Sequence, residues 1–147
     1  MKKLILFSVL LLSTTVYASP LKLELDGGSG IKKLFSTYED NFDFNDIVKA
    51  QVKKKVSKNA VTIIQEGMLD TPTPDILVEY GADASDNFLP TGTVEGTVTF
   101  LDHSKAPHDL KIACIFQSVH PGNPSQWKLC AIRFGNKIAN YLNSQLD

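Results

Sequence analysis

The chain of 147 residues has the length of one domain, and its 43% hydrophobic and 21% charged residues are typical of an ordinary folded protein. Its 15 Lys and Arg residues stand against 16 Asp and Glu residues, so the formal charge is -1. That balance excludes the global basic field that drives nonspecific nucleic-acid binding. We therefore expect one folded domain and no nucleic-acid partner.

The N-terminal segment has the three parts of a secretory signal peptide. Lys2 and Lys3 form a positive region, an apolar run follows, and small residues end at Ala18, where we place cleavage. No later stretch approaches the roughly 18 apolar residues needed to span a bilayer. The sequence predicts a signal peptide over 1–18 and a single secreted, β-rich domain over 19–147, in the periplasm or the medium, without a transmembrane segment.

Cys114 and Cys130 are the only two cysteines. Because an exported protein enters an oxidising compartment, the sequence predicts a single disulfide between them. Two buried thiols are the alternative.

Most of the remaining chain has the pattern of strands. Apolar and polar residues alternate over 21–26 and, most clearly, over 93–100. A shorter strand is predicted over 76–80, after two prolines. The segment 110–119 is apolar on both faces, which is typical of a central strand.

The segment 46–58 fits two kinds of secondary structure. Val48, Val52 and Val56 recur every four residues, and this spacing suits one face of a helix as well as one face of a strand. The polar residues at most of the odd positions and the three valines favour a strand, with a tight turn and a second strand over 60–66 completing a hairpin. A helix over 46–58 remains the alternative.

The end of the chain predicts a helix. Its apolar residues fall on one helical stripe, namely Phe134, Ile138, Tyr141, Leu142 and Leu146. Asn136, after Gly135, is a candidate cap for its start. The predicted fold class is therefore mainly β, a β-sandwich-like single domain with a C-terminal helix. The alternative is an α+β fold in which 46–58 is helical.

An acidic segment contains the strongest candidate for a metal site. Residues 39–46 combine four carboxylates with two carboxamides. Ca2+ takes 6 to 8 oxygen ligands and tolerates irregular geometry, so such a segment suits it. The alternative is structural, with Asp43 or Asn45 capping a turn while the other acids are solvated.

The same segment resembles the signature of secreted bacterial β-rich domains of the LruC and DUF4114 type. The matching residues are Tyr38-Glu39-Asp40 and Asp43-Phe44-Asn45-Asp46-Ile47-Val48, within roughly residues 36–66. The resemblance implies an exported β-sandwich-like module. It also implies a cation site formed by Asp40, Asp43 and Asp46, with Asn45 structuring the loop. Asn41 stands where these domains commonly have a further Asp, which lowers the ligand charge.

Five lysines lie within ten residues and form the one strong charge asymmetry. They are Lys49, Lys53, Lys54, Lys55 and Lys58. In a strand, Lys49, Lys53 and Lys55 would form a ridge on one exposed face. Such a ridge can bind an anionic membrane, including one with phosphoinositides, or an acidic protein partner. A solvated face that discourages edge-strand aggregation is the plainer interpretation.

No catalytic arrangement emerges from the remaining residues. His103 and His108 lie next to aspartates but lack a third metal ligand at a useful spacing, and no nucleophile elbow is present. The sequence predicts an exported, noncatalytic binding or adhesion-type module, stabilised by Ca2+ through residues 39–46. The alternative is a secreted, effector-like protein that docks on anionic lipids or an acidic partner through the lysine ridge.

Overall fold

The computed structural model describes residues 19–28, 44–64, 72–83, 91–115 and 125–146. In chain order its elements are β1 (Leu21–Gly27), α1 (Phe44–Lys55), β2 (Val61–Ile63), β3 (Ile76–Asp83), β4 (Thr91–Phe100), β5 (His108–Ile115) and α2 (Ser125–Leu146). The strands form one five-stranded sheet in the order β2-β1-β3-β4-β5. β1 runs parallel to both β2 and β3, whereas β3, β4 and β5 are successively antiparallel. The predicted signal peptide over 1–18 lies outside the described residues.

The core lies between one face of the sheet and the two helices. Strand alternation places every second side chain on this face, and both helices contribute an apolar stripe to it. Its largest fully buried side chains are Phe44, Phe134, Leu23, Leu25, Ile76, Leu110, Ile138, Leu142, Val48, Val52 and Val78. Each of them contributes about 1.5–3 kcal/mol by leaving water. This burial fixes which face of the sheet remains open.

The prediction of a mainly β, single small domain that ends in a helix is confirmed. The layer that packs on the sheet consists of α1 and α2, so the helical alternative for 46–58 describes the architecture better than a second sheet does.

The strand interpretation of 46–58 is wrong, because α1 covers residues 44–55. Phe44, Val48 and Val52 lie one turn apart and are buried, whereas Ala50, which a strand would have turned inward, is exposed. The physical reason is topological. β1 and β2 are parallel, and parallel neighbours need a crossover connection, usually a helix.

Two strand predictions also change position. The predicted hairpin is absent from the described residues, since β2 is a three-residue edge strand that pairs with β1 in parallel. The segment 110–119 was predicted to form a central strand. Its residues 110–115 belong to β5, which lies at the other edge of the sheet. In β5, Leu110 and Cys114 face the helices, but Lys111 and Ala113 are exposed. Residues 116–119 lie outside the described part of the chain.

α2 begins at Ser125, so Asn136 is not its cap. Gly135 instead lies where α2 approaches α1 closely, because an added Cβ would press on the Gln51 side chain and the Val48 carbonyl. Beside it, Nε2 of Gln51 donates a 2.6 Å hydrogen bond to Oδ1 of Asn136. The apolar stripe of α2 is confirmed, with Phe134 fully buried.

The predicted disulfide joins Cys114 of β5 to Cys130 of α2, with the two Cα atoms 5.8 Å apart. Both cysteines are part of the buried core. The bridge therefore ties the edge of the sheet to the helix that covers it.

Candidate functional site

The acidic segment of the sequence is described only in part. Asp40 and Asp43 lie outside the described residues, whereas Asn45 and Asp46 lie in the first turn of α1. Asp46 is exposed, and Asn45 is buried. Within the described ranges, no group of three or more His, Cys, Asp or Glu side chains could hold a metal ion. A Ca2+ site at Asp40, Asp43, Asn45 and Asp46 therefore stays a prediction.

The side-chain amide of Asn45 forms a hydrogen bond with a residue of the sheet. Its Oδ1 accepts a 2.9 Å hydrogen bond from the Tyr80 hydroxyl. Gly27, on the strand next to Tyr80, leaves the space that this amide occupies, because an added Cβ would overlap it. The contact fixes the start of α1 against β1 and β3.

The predicted lysine ridge is wrong in its geometry, because a helix distributes its side chains at about 100° per residue. Lys49 and Lys53 are one turn apart and share a flank of α1, but Lys55 lies on the opposite flank, toward α2. The Lys55 carbonyl accepts a 3.0 Å hydrogen bond from Nδ2 of Asn143 there. Lys53, Lys54 and Lys55 also occupy the last turn, where cations are favoured by the helix dipole.

The helices nevertheless form a strongly basic layer. Together α1 and α2 contain seven Lys or Arg residues and one acidic residue, Asp46. The seven are Lys49, Lys53, Lys54, Lys55, Lys128, Arg133 and Lys137, and all but the half-buried Lys49 are exposed. We call this surface the basic helix layer.

The opposite face of the sheet is acidic and is not covered by any element within the described ranges. We call it the acidic face. Among the residues whose side chains the structure describes, its charged residues are Glu24, Asp26, Glu79, Glu95 and Asp109, with Lys22 and Lys111. The two layers of the protein therefore carry opposite charge.

One row across four strands concentrates these acids. The register aligns Asp26 with Glu79, Glu79 with Thr97, and Thr97 with Asp109. Neighbouring strands are about 4.8 Å apart, so the side chains of this row are direct neighbours. Like charges in adjacent positions destabilise a sheet. The pair Asp26 and Glu79 is therefore not explained by fold stability.

Some charges on the acidic face have partners. Lys111 forms an ion pair with Glu95, although both side chains are more than half exposed. The Thr97 hydroxyl donates a 2.8 Å hydrogen bond to Oδ1 of Asp109. Within the described part of the chain, Asp26 and Glu79 form no ion pair. Glu24 forms none either, but only Asp26 and Glu79 are carboxylates that face each other in register.

A shallow depression of about 680 Å³ lies over this row. Asp26, Glu79, Glu95 and Asp109 line it, together with the backbone at Gly81. No atom lies within 4 Å of the position that a Gly81 Cβ would take, so packing does not require glycine there. Glycine inside a strand often marks a place where a ligand or another backbone approaches closely.

The acidic face was missed by sequence reasoning. The alternation of polar residues in β1 and β4 marks these positions as solvent-facing, but only the pairing of strands brings Asp26, Glu79 and Asp109 together. One sequence feature could have predicted the acidic face, namely the excess of acidic residues among the polar positions of the strands.

His103 and His108, which each lie next to an aspartate in the sequence, have structural roles. The His108 ring stacks on Tyr141 with the ring centroids 4.0 Å apart. His103 adopts a left-handed backbone, with φ of 56°, in the turn between β4 and β5. In that turn, hydrogen bonds from the Ser104 side chain and backbone hold the pKa of the Asp102 carboxyl below its ordinary value.

Neither α1 nor α2 combines the length and hydropathy of a membrane-spanning helix. No family model matches the chain, and no curated protein matches it.

Several solved structures are similar. A hypothetical protein from Chlamydia trachomatis is 10% identical, with a TM-score of 0.48 over 87% of this chain and 98% of that one. A minor lipoprotein from Acinetobacter baumannii is 13% identical, with a TM-score of 0.44 over 84% and 93%. The rare lipoprotein B from Shewanella oneidensis is 12% identical, with a TM-score of 0.40 over 84% and 95%. Such identities do not indicate a shared function.

Proposed function

We propose that the protein is an exported, noncatalytic binding module whose acidic face binds a cationic partner. The observation that carries this proposal is the acidic row on the open side of the sheet, where Asp26 and Glu79 are neighbours in register. Placing two like charges side by side costs stability. A cation bound between them would offset that cost.

Three features support a binding surface at this place. The depression lies directly over the row, and Gly81 leaves it open without a packing requirement. The charge is segregated, because the helices on the other side of the sheet are basic. Complementary charge accelerates encounter with a cationic partner and disfavours anionic ones.

A decalysine peptide is a suitable probe, with binding measured by fluorescence anisotropy. The double variant Asp26→Asn with Glu79→Gln should weaken binding by about tenfold, since it removes the two neighbouring carboxylates of the row. The matched control is Asp46→Asn with Asp102→Asn, which changes the net charge equally at exposed acids away from the acidic face. An equal loss of decalysine affinity in both variants would mean that binding depends only on the net charge of the protein, and the proposal would fail.

Export is proposed from the signal-peptide pattern, and it has its own test. Protein recovered from the periplasm or the medium should begin at Ser19 when its N-terminus is sequenced. Recovery of an uncleaved chain only from the cytoplasm would contradict export.

A second candidate function is docking on anionic lipid through the lysines in the last turn of α1 and just after it. Exposure of Lys53, Lys54, Lys55 and Lys58 favours it, because each lysine near an anionic membrane contributes about 1 kcal/mol. Liposomes with anionic lipids should retain the protein at low salt, and Lys53→Gln with Lys54→Gln should reduce retention more than Lys128→Gln with Arg133→Gln. Equal retention on neutral liposomes would exclude this function.

A further inference from the structure

The structure shows two surfaces of opposite charge on opposite sides of one sheet. Among the described side chains, the acidic face carries five acids against two lysines, and the basic helix layer carries seven cations against one acid. We propose that the acidic face of one copy of this chain receives the basic helix layer of a second copy. This inference rests on the proposed function, because it names the cationic partner of the acidic face.

The arrangement of the layers sets the geometry of such an assembly. Both helices pack on the face of the sheet that is opposite to the acidic face, so the two surfaces point away from each other. An interface between two different surfaces is heterologous, and it leaves one surface of each kind unused in a pair of copies. Copies therefore add head to tail, and the assembly grows with concentration.

The size of the acidic face indicates a weak association. Five strands spaced about 4.8 Å apart are about 19 Å across, and the four longer strands, of seven to ten residues, are about 23–33 Å long, whereas β2 has three residues. The footprint is thus on the order of 500 Å², below the roughly 800 Å² per partner of a standard stable interface. Because charge dominates, salt should dissociate the assembly, as screening acts within about 8 Å at physiological ionic strength.

Sedimentation velocity of the mature protein tests the first consequence. At low salt the weight-average mass should rise with protein concentration across the micromolar range, and it should return to the monomer mass in about 0.5 M NaCl, where the screening length is only a few ångströms. A monomer mass at every concentration in low salt would overturn the proposal.

Two variants then test which surfaces meet. The acidic-face variant carries Asp26→Asn, Glu79→Gln and Asp109→Asn. The helix-layer variant carries Lys49→Gln, Lys53→Gln and Lys54→Gln. Each should be monomeric alone, because each lacks one of the two surfaces. Their equimolar mixture should form a 1:1 dimer that does not grow further, since only one intact pair of surfaces is present.

The mixture separates this proposal from its alternatives. If each variant is monomeric and the mixture is monomeric too, the two surfaces do not meet, and the proposal is overturned. If the wild-type protein is monomeric at low salt but decalysine still binds the acidic face, the proposed function stands and self-association fails. If the protein is monomeric and the helix-layer variant loses only its retention on anionic vesicles, the lysines contact lipid instead. Circular dichroism and melting of each variant establish that it is folded.

Discussion

The hydroxyl of Tyr80 donates a 2.9 Å hydrogen bond to Oδ1 of Asn45 inside the core. Tyr80 is on β3 and Asn45 is in the first turn of α1, and both side chains are buried. The Tyr80 ring also packs against Phe134 of α2, with the ring centroids 5.4 Å apart. One side chain of the sheet therefore contacts both helices.

Tyr80→Phe should lower the free energy of unfolding by about 1–2 kcal/mol, because it removes the donor from a buried amide oxygen. Chemical denaturation measures the change. Asn45→Ala and the double variant complete a double-mutant cycle, in which contacting residues couple by about 0.5–3 kcal/mol. Strictly additive effects of the two substitutions would show that the bond does not contribute to stability.

Local pattern was enough to predict the strands that alternate cleanly. In β1 and β4, apolar residues at every second position face the helices, as expected from the sequence. The spacing of Val48, Val52 and Val56 was not enough for α1, because a helix and a strand share that spacing. The choice was made by tertiary structure, through the parallel pairing of β1 and β2.

The acidic face illustrates a second limit of sequence reasoning. Asp26, Glu79 and Asp109 are far apart in the chain, and each alone is an ordinary solvent-facing residue of a strand. Only strand order and register make them one row. For the lysines the opposite happened. They are close together in the sequence and were predicted to form one ridge, but the helix places Lys53 and Lys55 on opposite flanks.

The disulfide should contribute substantially to stability. A loop of about 15 residues closed by a disulfide is worth roughly 3 kcal/mol in the chain-entropy model. Intact-mass analysis of protein recovered from the periplasm or the medium should show it two protons lighter than its reduced form, and reductant should lower the melting temperature. The control is Cys114→Ser with Cys130→Ser, whose melting should not respond to reductant. Two thiols that alkylate freely without reductant would contradict the Cys114 to Cys130 bridge.

Calcium binding by the acidic segment is a separate prediction. A cation that binds only the folded state raises the melting temperature by mass action. Millimolar Ca2+ should therefore stabilise the protein, and Asp43→Ala or Asp46→Ala should remove the effect. Asp102→Ala, at an exposed acid in the turn between β4 and β5, should leave it intact. An unchanged melting temperature together with unchanged NMR amide shifts of residues 39–47 would contradict a Ca2+ site.

The substitution Gly81→Ala should change stability and binding at the acidic face in opposite directions. Glycine in a strand interior costs about 0.5–1 kcal/mol relative to alanine, and a Cβ at this position meets no atom within 4 Å. Gly81→Ala should therefore raise the free energy of unfolding by about that amount, as measured by chemical denaturation. The same methyl group enters the depression, so decalysine binding should weaken.

Ala113→Val is the matched control for Gly81→Ala. It also adds bulk to an exposed position of the same face of the sheet, but Ala113 does not line the depression. This variant should bind decalysine like the wild-type protein. If Gly81→Ala is stabilised and still binds with wild-type affinity, the partner contacts the carboxylates without entering the depression. If Ala113→Val loses binding to the same extent, contact extends over the whole face. Loss confined to Gly81→Ala would place the partner in the depression, because Gly81 lines it and is the register partner of Glu95, whereas Ala113 does not line it.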